Sequence, residues 1–219
     1  MIGFYNYTVI LTYLGLISGS TGIFFAMRGG TFNTFIAVVC LLTAGFLDLF
    51  DGKVARTKKD RTQDEKNFGI QIDSLSDIVC FGVLPAAIGY SVVQNAGLNP
   101  LYFIPLFALY ILCGLIRLAF FNVKELNEFY GVTDHVEKVY YGMPITMASL
   151  ILPAFYCARP WMTNEYFYLL YTPLLGLLAI LFILKVKFPK PNKVAIIAMA
   201  LLGTALTIAS IVLNIVFPD

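Results

Sequence analysis

Apolar residues run along this chain in long stretches separated by short polar segments. A helix that crosses a bilayer needs about 20 mostly apolar residues. Seven stretches meet or approach that length: Thr8–Met27, Phe32–Phe50, Phe68–Val93, Leu101–Phe121, Gly142–Ala158, Tyr166–Lys185 and Val194–Phe217. The fifth is short and is interrupted by Pro153. The period-two alternation of a membrane β-barrel is absent, and lipid tolerates no unpaired backbone. The pattern therefore predicts an all-α fold, a polytopic transmembrane helical bundle. With no internal repeat or low-complexity segment, residues 1–219 read as a single membrane domain, the C-terminal spans occupying 151–219.

The polar segments orient the bundle. With the N-terminus on the cytoplasmic side, the inner loops collect Lys53 to Lys66, then Arg117, Lys124 and Lys138, then Lys185 to Lys193. Of the 15 basic residues, only Arg28 and Arg159 remain outside. This asymmetry follows the positive-inside rule and predicts a cytoplasmic face rich in cations, suited to anionic headgroups. Composition agrees: 59% of residues are hydrophobic and 13% charged, against about 25% charged in a soluble domain. That deficit points to lipid as the solvent, and no basic stripe suggests nucleic acid as a partner. Met1–Tyr7 has no basic region of the kind that opens a secretory signal, so none is expected. Cys40, Cys80, Cys113 and Cys157 lie in apolar stretches without a CxxC pair and read as small buried hydrophobes.

The candidate chemistry lies at the inner ends of the second and third spans. Asp48 and Asp51 are three residues apart, and Asp73 and Asp77 four apart. Those spacings put each pair on one helical face. Two neighbouring antiparallel helices can then turn four carboxylates toward one another at one depth. Such a cluster repels itself strongly in a low dielectric, and hard divalent cations, which prefer oxygen ligands, offset that charge. The plainer alternative is four interfacial aspartates pairing with Lys53, Arg56 or Lys58; ionisable groups within spans favour the functional reading. Small residues surround the carboxylates: Gly52, Ala55 and Gly69 let a ligand or a neighbouring backbone approach closely. Gly45 and Gly114 read as helix-packing positions.

Taken together these residues read Asp48-x-x-Asp51-Gly52-x-x-Ala55-Arg56, then Gly69-x-x-x-Asp73-x-x-x-Asp77. The pattern over 48–77 resembles the signature of the CDP-alcohol phosphotransferase family. The segment between Arg56 and Gly69 is longer than the family pattern usually has, which predicts an extended cytoplasmic loop. Within the family the chain is similar to members whose acceptor alcohol is L-serine. That similarity rests on Asp73-Ser-Leu-Ser-Asp77-Ile-Val-Cys-Phe81-Gly82-Val-Leu-Pro85, on Cys113-Gly114-Leu-Ile-Arg117-Leu-Ala-Phe-Phe-Asn122, and on Gly142-Met-Pro144, and it covers roughly residues 8–150.

The resemblance implies a six-helix core, commonly a homodimer, with the seventh stretch as an addition. It implies CDP-diacylglycerol and L-serine as substrates in phospholipid biosynthesis, and two divalent ions, Mg²⁺ or Mn²⁺. Asp48, Asp51 and Asp73 are the implied metal ligands. Asp77 is the implied general base and shares in metal binding. Gly52, Ala55, Arg56 and Gly69 match positions around the CDP moiety. The implied location is the cell membrane, with the active site facing the cytoplasm. Arg117 can bind a substrate anion or snorkel to the interface, and Asn122 can orient serine or cap a helix end. His135, the only histidine, sits in a charged loop. Two rival functions remain open: a sibling enzyme using glycerol phosphate or inositol phosphate, and a divalent-cation transporter.

Overall fold

In the computed structural model the described residues are 3–4, 6–55, 57–58, 60–129, 139–185, 187–189, 198, 201–206, 208–209 and 212. Seven α-helices account for most of them: α1 (Ile10–Arg28), α2 (Thr31–Ala55), α3 (Gln63–Asp77), α4 (Leu84–Asn95), α5 (Ile104–Phe129), α6 (Ala148–Tyr156) and α7 (Asn164–Ile183). Two three-residue strands, β1 (Val139–Tyr141) and β2 (Lys187–Pro189), pair antiparallel as a small ribbon on this helical bundle. Five helical segments are long and apolar enough to cross a membrane. They match the first four predicted spans and the sixth.

The third crossing shows how the sequence shapes a helix. Between α3 and α4 the chain forms a π-helical turn, Ile78–Val83, in which the Leu84 N–H reaches five residues back to the Val79 carbonyl. Pro85 follows, and proline has no N–H for the carbonyl four residues earlier. That carbonyl belongs to Phe81, and the fully buried Tyr110 hydroxyl of α5 donates to it at 2.9 Å. A side chain from a neighbouring helix thus satisfies a group that proline leaves open, as lipid requires. The widened turn begins immediately after Asp77.

The fifth predicted span is not one long helix. A 3₁₀ turn at Ile145–Met147 leads into the nine-residue α6, and a second 3₁₀ turn follows at Arg159–Trp161. Pro144 precedes this run and Pro153 lies within it, so continuous α-helical bonding is interrupted. The run still extends from one end of α2 to the other. Thr146 and Ser149 line a small cavity with Asp48, while Arg159 donates to the Thr31 hydroxyl at 3.1 Å. Thr31 and Asp48 are separated by about 26 Å of helix at 1.5 Å per residue. Of the predicted seventh span, the described residues are helical at 198, 201–206, 208–209 and 212, and the others lie outside the description.

Packing in the middle of the bundle is close. A Cβ on Gly19 of α1 would stand 2.5 Å from the Cys80 sulfur, and one on Gly22 would stand 2.8 Å from Cys40. Helices that cannot rely on a hydrophobic driving force approach through such small residues. All four cysteines are free, with Cys80 and Cys113 buried. Several polar groups inside the bundle pair with one another: Thr34 and Ser91 hydroxyls lie 2.5 Å apart, and the Asn95 amide donates to Thr34 at 3.0 Å.

Candidate active site

α2 carries Asp48 and Asp51 through its last two turns, and α3 carries Asp73 and Asp77 through its last turns before the π turn. The two helices bring all four carboxylates together. Oxygens of Asp48, Asp73 and Asp77 lie within 4.8 Å of one another. Asp48 lies against Asp77, and Asp51 against Asp73. Asp51 and Asp77 are buried. The hydroxyl of Thr12, on α1, donates to Asp51 Oδ2 at 3.1 Å and fixes that carboxylate's orientation.

At an effective dielectric near 20, two unit charges that close repel by about 3–4 kcal/mol. A cluster of this kind calls for a counter-cation. Its donors are all hard oxygens, which fits Mg²⁺ or Mn²⁺ rather than a thiophilic metal.

Beside the cluster lies a cavity of about 330 Å³. Asp51 and Asp73 form one part of its wall; Gly52, Ala55 and Gly69 form another. Among the described residues a Cβ on Gly52 would meet no atom within 4 Å, and one on Gly69 would meet only Arg61, at 3.9 Å. The glycines here open onto space instead of onto a neighbouring helix. Three of the four positions expected around the CDP moiety therefore share one cavity with two of the aspartates. The fourth, Arg56, lies outside the described residues, as do His135 and Lys138.

Arg117 and Asn122 come to the aspartates from α5. Arg117 is buried, stacks its guanidinium 4.5 Å from the Phe121 ring, and lies close enough to Asp77 to offset part of its charge. It also lines a second cavity, of about 430 Å³, with Phe121, Lys124 and Lys185. Asn122 has a different setting: its side-chain carbonyl accepts from the Ser74 hydroxyl at 2.8 Å, tying α5 to α3 next to Asp73.

Two residues at the site carry no signal in the one-dimensional pattern. Thr12 is a lone hydroxyl in an apolar run, and its bond to Asp51 spans 39 positions. Arg61 belongs to a charged loop in which every cation looks alike until the loop is folded.

The profile of the CDP-alcohol phosphatidyltransferase family matches residues 5–217. The chain belongs to this family. Members of the CDP-alcohol phosphatidyltransferase family are in general dependent on divalent metal, and the aspartate cluster is the acidic site of this member. The chain is 30% identical over 155 residues to the CDP-diacylglycerol–serine O-phosphatidyltransferase of Saccharomyces cerevisiae, covering 67% of this chain and 53% of that protein. The Bacillus subtilis protein of the same name is 34% identical over 125 residues, 55% of this chain and 59% of its own. The archaetidylserine synthase of Methanothermobacter thermautotrophicus is 33% identical over 147 residues, 67% and 56% respectively. The chain thus spans a little over half the length of these relatives.

Proposed function

We propose that this membrane protein transfers the phosphatidyl group of CDP-diacylglycerol to the hydroxyl of L-serine, giving phosphatidylserine and CMP. The observation that carries the reading is the meeting of four carboxylates with a glycine-walled cavity at one end of the bundle. The relatives' names supply the substrate class: all three named above share serine, and only the Methanothermobacter protein's name carries a different lipid.

Asp48, Asp51 and Asp73 hold the divalent cations, Mg²⁺ or Mn²⁺, with Asp77 sharing in the coordination. Metal bound there supplies neutralisation of the pyrophosphate charge. The protein's own tasks are positioning and proton transfer. Gly52, Ala55, Arg56 and Gly69 bound the space for the CDP moiety. Asp77 takes the proton of the serine hydroxyl, a weak nucleophile until deprotonated. The serine oxygen bonds to the phosphorus that carries diacylglycerol, and the bond from that phosphorus to the CMP oxygen breaks. Arg117 pairs with the serine carboxylate, and Asn122 supports it from the same helix.

The site faces the cytoplasm of the cell membrane in this reading. Arg28 and Arg159, the two basic residues expected outside, both flank Thr31 at the opposite end of α2. A homodimer within the bilayer completes the proposal, and nucleic acid has no part in it. The test is CMP release by purified protein with CDP-diacylglycerol and one acceptor at a time. L-serine is expected to drive release and glycerol 3-phosphate is not. Faster release with glycerol 3-phosphate or inositol phosphate than with serine would assign a sibling activity.

A further inference from the structure

The lengthened loop between α2 and α3 reaches the glycine-walled cavity. Arg61, from that loop, stands on the cavity wall together with Lys66 from the first turn of α3. The loop is braced where Arg61 leaves it. Thr62 caps α3 by accepting from the Glu65 N–H, and Glu65 accepts in return from the Thr62 N–H at 2.9 Å. The same Glu65 carboxylate takes the Lys58 ammonium at 2.7 Å and the Asn6 amide at 2.9 Å. One side chain therefore ties together the loop, the start of α3 and the N-terminal segment.

Arg61 reaches over Gly69, its Nη1 3.9 Å from where a Cβ there would stand. Its Nε is buried and has no hydrogen-bond partner among the described residues. A buried donor left unpaired is costly, and a ligand acceptor removes that cost. The fork of a guanidinium matches the paired oxygens of a phosphate or a carboxylate, and in a CDP pocket the acceptors within reach are phosphates. Gly69 precedes Asp73 by one turn, about 6 Å along the helix. Arg61 thus stands on the loop side of the carboxylates, away from Asp77. If Asp77 works at the phosphorus under attack, the phosphate nearer Arg61 is the one that leaves with the nucleoside.

We infer that Arg61 is a positioning residue that holds the nucleotide-side phosphate of the CDP-alcohol, a role supplied by the lengthened loop. The inference rests on the reading of this cavity as the CDP pocket. It extends that reading by giving the leaving group a specific cation.

Binding of cytidine, CMP and CDP to the detergent-solubilised full chain with Mg²⁺ present separates the two claims. Wild-type protein is expected to bind CMP and CDP more tightly than cytidine. Arg61→Ala should weaken CMP and CDP roughly 10- to 100-fold, the scale of a hydrogen bond to a charged group, while leaving cytidine unchanged. Arg61→Lys, which keeps the charge without the fork, should fall between. It also serves if the alanine variant does not fold. Failure of the wild-type chain to bind CMP and CDP would overturn both the pocket reading and the inference. Normal wild-type binding with unchanged CMP affinity in both variants would overturn the role of Arg61 alone. Equal weakening of cytidine and CMP would do the same, since the lost contact would not be to phosphate.

Discussion

Gly45 and Gly52 lie two turns apart on α2, and the bundle treats them in opposite ways. A Cβ on Gly45 would overlap the side chain of Ser149 on α6. One on Gly52 would touch nothing within 4 Å among the described residues. Gly114 of α5 is like Gly45, since its Cβ would stand 2.6 Å from Ile145. Gly69 is like Gly52. The closed pair lets neighbouring helices meet; the open pair leaves room in the cavity beside Asp51 and Asp73. A single residue type thus serves close packing at one position and leaves open space at another. What separates the two uses is whether another element lies opposite.

The largest effect that contrast predicts is at the open end. Stripping divalent metal with a chelator should abolish CMP release, and Mg²⁺ or Mn²⁺ should restore it; full turnover in the stripped protein would remove the cation from the cluster. Next comes Asp77→Asn, expected to lower turnover by about 10²-fold or more, the usual scale for losing a general base. CDP-diacylglycerol binding should largely survive that change. If binding falls as far as it does in Asp48→Asn, Asp77 is chiefly a ligand.

Filling the open glycine is a direct challenge to the comparison. Gly52→Leu should reduce affinity for CDP by roughly tenfold or more, the order of an interaction lost from a binding site, with no fall in melting temperature. Gly45→Ala should do the reverse, costing about 1–3 kcal/mol of stability through overpacking while leaving CDP affinity intact. If both variants lose stability alike, the distinction between the two glycines fails. The smallest effect concerns topology. Single cysteines at Asp60 and Trp161, in a background lacking the four native cysteines, should leave activity nearly unchanged and label from opposite sides of the membrane. Labelling from one side would undo the placement of α6 as a crossing element.

Helices α1, α2, α5 and α7 could be read from the length of their apolar runs, because a bilayer sets that length. The fifth stretch was legible as a candidate span but its form was not, because Pro144 and Pro153 break it into pieces that only its contacts with α2 align end to end. The π turn after Asp77 was equally hidden. Its carbonyl partner is the hydroxyl of Tyr110, 29 positions away.

The sequence by itself determined the membrane class, the family and the two aspartate pairs. Each of these depends on local spacing: hydrophobic length, or three- and four-residue steps around one helix. Only the tertiary structure decided that the pairs meet, that Thr12 braces Asp51, and that Ser74 engages Asn122. It alone separated Gly52 from Gly45 and brought Arg61 out of a row of similar cations to the cavity wall. The physical reason is that distance between helices, burial and the presence of a partner arise from packing residues far apart in the chain, and no local pattern encodes which groups will face one another.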